Sequence, residues 1–252
     1  MTTMSLLTVE RIKLFSTRSP YWCIGLVPVL GLGITLLVSL VDRGSAASLE
    51  TSQSWVGFAT SIVMVMAALS VTTEYRFGTI RSSFLAVPSR SGLLVAKAVL
   101  LAAISFVVVE ATSILSYLLA RAVHGPAASD AAFTLSTSTD YRVIWGPGVI
   151  AALAAVLAIA VGILVRQSAG AIAVVLLWPL LVENLFVLFG SFGRDLQPWL
   201  PFNASTAFYT GGDSFNRFSS TVPSWWQGGL IFLGTTVVLL ILALAAAKRR
   251  DA

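Results

Sequence analysis

Six stretches of this chain are apolar for long enough to cross a lipid bilayer: Tyr21 to Val41, Trp55 to Val71, Leu93 to Ala120, Val143 to Val165, Ala169 to Phe189 and Gly228 to Ala247. A helix rises 1.5 Å per residue, so ~20 apolar residues cross a hydrocarbon core of about 30 Å. Charge is correspondingly scarce. The chain is 57% hydrophobic and 11% charged over 252 residues, whereas soluble domains carry roughly a quarter charged residues. The expected fold is an all-α integral membrane protein with six transmembrane helices in a single domain, 1–252.

The net charge of +5 sits at the ends of the apolar runs instead of on one face, which argues for membrane orientation and against nucleic acid. With the amino terminus inside, eleven basic residues fall on the cytoplasmic side (Arg11, Lys13, Arg18, Arg76, Arg81, Arg90, Lys97, Arg166, Lys248, Arg249 and Arg250). Five fall outside (Arg43, Arg121, Arg142, Arg194 and Arg217). The positive-inside rule therefore places both termini in the cytoplasm. The first run is too long for the core of a signal peptide and is expected to be retained. Cys23, the sole cysteine, lies inside that run, so no disulfide, zinc or redox pair is expected. His124, the sole histidine, has no second ligand near it in sequence, and no metal site is expected.

Residues 1–20 mix Glu10, Arg11, Lys13 and Arg18 with apolar side chains. On a helical wheel Met4, Leu7, Ile12, Leu14 and Phe15 share about half the circumference, with Leu6 and Val9 on the polar side. An amphipathic helix in the membrane interface is expected, its basic side chains reaching the headgroups. Between the fifth and sixth spans, residues 190–227 are dense in Phe and Trp among glycines and prolines. Aromatic rings suit the membrane–water boundary, so short helices or a re-entrant hairpin over the outer end of the bundle are expected. Pro28 and Pro179 are expected to bend the first and fifth spans, and Pro147 to be harmless near the start of the fourth. Arg166, Gln167 and Ser168 leave room only for a tight turn.

The segment 72–92 is the one long polar, basic connection between two strongly apolar runs, with Glu74, Arg76, Arg81 and Arg90. Gly78 can end the extension of span two, Thr79 can cap a new helix, and Pro88 can close that short helix over Ile80 to Ala86. The order Glu74-Tyr75-Arg76-Phe77-Gly78-Thr79-Ile80-Arg81, then Pro88, Arg90 and Lys97, lies in a six-span chain with a basic amino-terminal helix. In that setting it resembles the permease subunit of ABC transporters of the ABC-2 type, and the composition resembles an actinobacterial member.

The resemblance covers essentially the whole chain. It implies that 72–92 carries a cytoplasmic coupling helix docking on a separate ATPase subunit. Glu74, Tyr75, Arg76, Phe77, Gly78, Thr79 and Arg81 are then the partner-binding residues, with the charged ones on an exposed surface. The implied assembly has two ATPase copies and a second permease, identical or related, in the cytoplasmic membrane of a bacterium. No G-x-x-x-x-G-K-[ST] occurs in the sequence, so ATP and Mg are expected on the partner, with no cofactor in this chain and no enzymatic activity of its own. The implied cargo is a drug, lipid or peptide moved outward through a cavity lined by spans one, two and five. The rival expectation is an ATP-independent membrane protein that binds a partner or confers immunity.

Two carboxylates fall inside apolar runs, where ionised groups are costly and point to function. Glu110 lies 13 residues after Lys97, and Glu183 lies 13 after Gly170. Each is therefore expected about 20 Å from the cytoplasmic side, and with Asn184 they are candidates for a translocation path. The bland alternative pairs each with helix neighbours such as Thr112, Ser113 or Asn184.

Overall fold

A computed structural model describes residues 3–41, 48–79, 90–125, 133–211 and 222–250. The described residues form helices α1 (Thr3–Phe15), α2 (Ser19–Val41), α3 (Val56–Arg76), α4 (Arg90–His124), α5 (Ser138–Val165) and α6 (Ser168–Leu177). Three further helices come after these: α7 (Gly190–Leu196), α8 (Pro201–Thr210) and α9 (Trp225–Arg250). Six helical stretches are long and apolar enough to cross a membrane, which makes this an all-α, multi-pass membrane protein. A helix bonds its own backbone groups within one segment, the condition a hydrocarbon solvent imposes. Six crossings return the chain to the face from which it started; that face is called here the terminus-bearing face and the opposite one the far face.

Helix α5 occupies the centre, packed between α3, α4 and α9. Its sequence permits this because Ala151, Ala154, Ala155 and Ala158 are fully buried and let neighbouring backbones approach. At Gly162 a β-carbon would lie 2.5 Å from Val71 Cγ1, so only glycine fits against α3 there. Helix α5 starts at Ser138, earlier than the apolar run predicts, because Thr137 and Asp140 form a capping box. Pro147 therefore lies well inside the helix and not near its start. At the other end Arg166 closes the helix in the left-handed region (φ 59°), and α6 begins at Ser168.

Pro28 is carried within a continuous α2. At Pro179, where a bend is expected, the chain after α6 makes a π-helical turn over Trp178–Val182, then 3-10 geometry over Phe186–Phe189. The π turn widens the ladder where proline lacks an N–H, and Asn184 Nδ2 donates to the Pro179 and Leu180 carbonyls (3.3 and 3.0 Å). The aromatic-rich segment contains the short helices expected of it, α7 and α8. Helix α8 packs tightly on α9, where a β-carbon on Gly228 would meet the Ala204 carbonyl oxygen at 2.3 Å.

Helix α1 departs from the helical-wheel expectation. Leu6 and Glu10 are buried, while Val9 and Ile12 face outward. The wheel maximised apolar area; the structure instead turns inward the face that carries Glu10, because an ionic partner waits on α4.

Candidate functional site

On the terminus-bearing face four charged side chains from three elements converge. Lys97, in the second turn of α4, has its ammonium 2.5 Å from Glu10 Oε2 of α1 and 2.9 Å from Glu74 Oε1 at the end of α3. Lys13 completes the group, 3.1 Å from Glu10 Oε1 and 3.7 Å from Glu74 Oε1. Lys97 and Glu10 are only 6% and 1% exposed at their side chains, so neither charge is stable there without the other. The charges of the four sum to zero, and α1 is thereby pinned to both helices that flank segment 80–89.

This placement corrects the expectation for Glu74. Its side chain is 11% exposed and turned into the cluster, not outward to a partner. Arg76 and Phe77 do face outward, the guanidinium 5.6 Å from the ring centre. The Tyr75 ring points the other way, under Arg166 of the α5–α6 turn at 4.8 Å. Gly78 has φ +70°, a conformation that favours glycine and turns the chain off α3. Thr79 Oγ1 reaches back to the Glu74 carbonyl at 3.5 Å. Arg81 and the coupling helix expected over 80–86 lie outside the described residues.

The two intramembrane carboxylates are not brought together. Glu183 is buried, and both of its oxygens are engaged. Phe202 N–H donates to Oε1 (3.0 Å), Asn203 N–H to Oε2 (2.9 Å) and Trp178 Nε1–H to Oε1 (3.1 Å). Phe202 and Asn203 are the second and third residues of α8, whose N-cap, Leu200, has no side chain that can accept. Glu183 therefore caps α8 from a distant part of the chain, an anion at the positive end of a helix. This geometry makes it a structural clamp and takes it out of an open translocation path. Asn184 is exposed and bonded to the π turn, with Gln197 Nε2 3.5 Å from its Oδ1. Glu110 sits in a notch left by Gly148, where a β-carbon would be 2.5 Å from its Oε2, and that oxygen is buried without a hydrogen-bond partner.

Two cavities accompany these sites. One of about 580 Å³ opens beside Lys13, Glu74 and Lys97. The other, about 500 Å³ and almost wholly apolar, lies between α5, α6 and α9, bounded by Pro201 and Phe202 of α8.

The sequence displayed Glu10, Glu74 and Lys97 as charges at the ends of apolar runs, but nothing in it linked them across such separations. The signal for Glu183 was present: a helix opening Leu200-Pro201 has no local cap, and a carboxylate stood in the preceding apolar run. The fold and these sites define a multi-pass α-helical membrane protein with an ionic joint at one face and a short helix, α8, capped by Glu183 near the other. No family model matches the chain, and no curated protein is significantly similar to it.

Proposed function

We propose that the chain is the permease subunit of an ATP-driven exporter of the ABC-2 type. ATP and Mg are bound by a separate ATPase, and a second permease copy, identical or related, completes the transporter. The observation that carries this reading is the ionic joint at Lys97. It ties α1, the end of α3 and the start of α4 into one unit at the two helix ends that precede and follow segment 80–89 in the sequence. A push on that segment by a cytoplasmic partner would reach three elements at once instead of bending one. The exposed Arg76 and Phe77 are the described residues best placed for the partner contact. The almost wholly apolar lining of the cavity between α5, α6 and α9 favours a hydrophobic or amphipathic cargo over small ions.

The test is purification of the tagged chain from its native host in mild detergent, with mass spectrometry of what accompanies it. A near-equimolar protein containing a Walker A loop is expected, and Arg76→Glu should diminish its recovery while leaving the permease folded. Recovery of the chain alone under several gentle conditions would overturn the proposal in favour of a partner-binding or immunity role without ATP.

A further inference from the structure

The cavity beside the ionic joint has the make-up of a ligand site. It opens between the α1–α2 junction, α3 and the first turns of α4. Leu14, Leu69 and Met66 form its apolar side. Met66 also borders a separate slot of about 10 Å³ between α2, α3 and α4. One end is ionic and the other apolar, which is the profile of an amphipathic molecule entering from a membrane leaflet.

The polar end offers acceptors and few donors. Ser16, Thr17, Ser70 and Thr73 line it, and each spends its own proton on a carbonyl of its helix turn (2.7, 3.2, 2.7 and 2.7 Å). A hydroxyl that donates inward still has lone pairs for an incoming donor. Glu74 lines the same cavity; Oε1 meets both lysines, whereas Oε2 is buried with no hydrogen-bond partner. Lys97 is enclosed by two carboxylates, so an anionic headgroup finds neither a free ammonium there nor a row of hydroxyl donors.

Charge balance selects the sign of the ligand. Lys97 against Glu10 and Glu74 leaves one negative charge, which Lys13 offsets. Lys13 is the most exposed member, 34% at its side chain; it holds Glu10 Oε1 at 3.1 Å, whereas its contact with Glu74, at 3.7 Å, is the longest in the cluster and beyond hydrogen-bond distance. Of the four charges, its ammonium is the one an incoming ammonium can displace from Glu74.

We propose that this cavity binds long-chain primary amines: the ammonium settles on Glu74 in place of Lys13, donating also to the Ser70 and Thr73 hydroxyls, and the alkyl chain runs along Leu14, Leu69 and Met66. The site stands independently of the permease reading, since it needs neither ATP nor a second subunit.

The experiment uses the purified full chain in phosphatidylcholine nanodiscs and dodecylamine bearing a photoreactive diazirine on its alkyl chain, with labelled peptides mapped by mass spectrometry. Saturable labelling around Met66 and Leu69 is expected, competed by dodecylamine. Dodecyltrimethylammonium, which has the charge but no N–H, should compete at least about tenfold more weakly, the worth of one hydrogen bond to a charged group. Glu74→Gln should weaken binding about tenfold on the same basis. Thr73→Val, which keeps all four charges, should weaken it to a lesser degree and covers the case in which the Glu74 variant does not fold. Lys13→Met should tighten binding several-fold because it vacates the ammonium position, a direction that mere disruption of the joint would not produce. Equal competition by dodecanol would reduce the cavity to a lipid crevice and overturn the proposal. Preferential competition by dodecyl phosphate, or weaker amine binding in Lys13→Met, would overturn it in favour of an anion site. Binding without any ATPase recovered from the host would leave this site standing while the transport reading fell.

Discussion

Lys97 of α4 and Glu10 of α1 form a buried ion pair, their charged atoms 2.5 Å apart, and each has lost nearly all contact with solvent. Removing one member leaves a buried charge uncompensated, which costs about 3–5 kcal/mol, whereas removing both leaves less behind. Lys97→Met should therefore lower the thermal midpoint of the detergent-solubilised protein sharply. Adding Glu10→Gln to Lys97→Met should recover part of the loss. If the double variant is as unstable as the sum of the two singles, the pair is not coupled.

Glu183 offers a separate test, because its acceptors serve the first turn of α8. Glu183→Ala strands the Phe202 and Asn203 N–H groups and should destabilise that helix by about 1–3 kcal/mol. The readout is faster amide hydrogen exchange in α8 with little change in α5. Unchanged exchange would show that the cap contributes nothing.

Glycines in this protein divide by what surrounds them. A methyl group at Gly228 would strike the Ala204 carbonyl and one at Gly146 would strike Tyr209 Cβ, at 2.3 and 2.5 Å, while Gly25 and Gly33 have nothing within 4 Å. Gly228→Ala and Gly146→Ala should each cost about 1–3 kcal/mol through displaced packing. Gly25→Ala and Gly33→Ala should stay within about 1 kcal/mol of the parent. Thermal midpoints of the four variants, measured side by side, decide it.

Arg166 holds a left-handed conformation that an L side chain disfavours by about 1–2 kcal/mol, and its guanidinium covers the Tyr75 ring. Both Arg166→Ala and Arg166→Gly lose the cation–π contact, and only glycine relieves the backbone. Arg166→Gly should be the more stable of the two by about 1 kcal/mol. The reverse order would mean that the α5–α6 turn rearranges.

Six spans, the tight turn at Arg166, an irregular helix at Pro179 and short helices before the last span are legible in the sequence, since each rests on a property of one local segment: run length in hydrocarbon, missing N–H, or aromatic density. That the irregularity at Pro179 takes the form of a π turn, while Pro28 leaves α2 uninterrupted, is not legible there. The early start of α5 also has a local cause, the Thr137–Asp140 box, which the apolar run concealed. What only the tertiary structure decided is which charges meet. Glu74 reads as an exposed contact and is buried against Lys97; Glu183 reads as a group on a path and caps α8; Leu6 reads as polar-side and is interior. In each case the deciding partner lies on another helix. A buried charge takes whichever opposite charge or helix end packing brings within about 3 Å, and sequence periodicity carries no record of that distance.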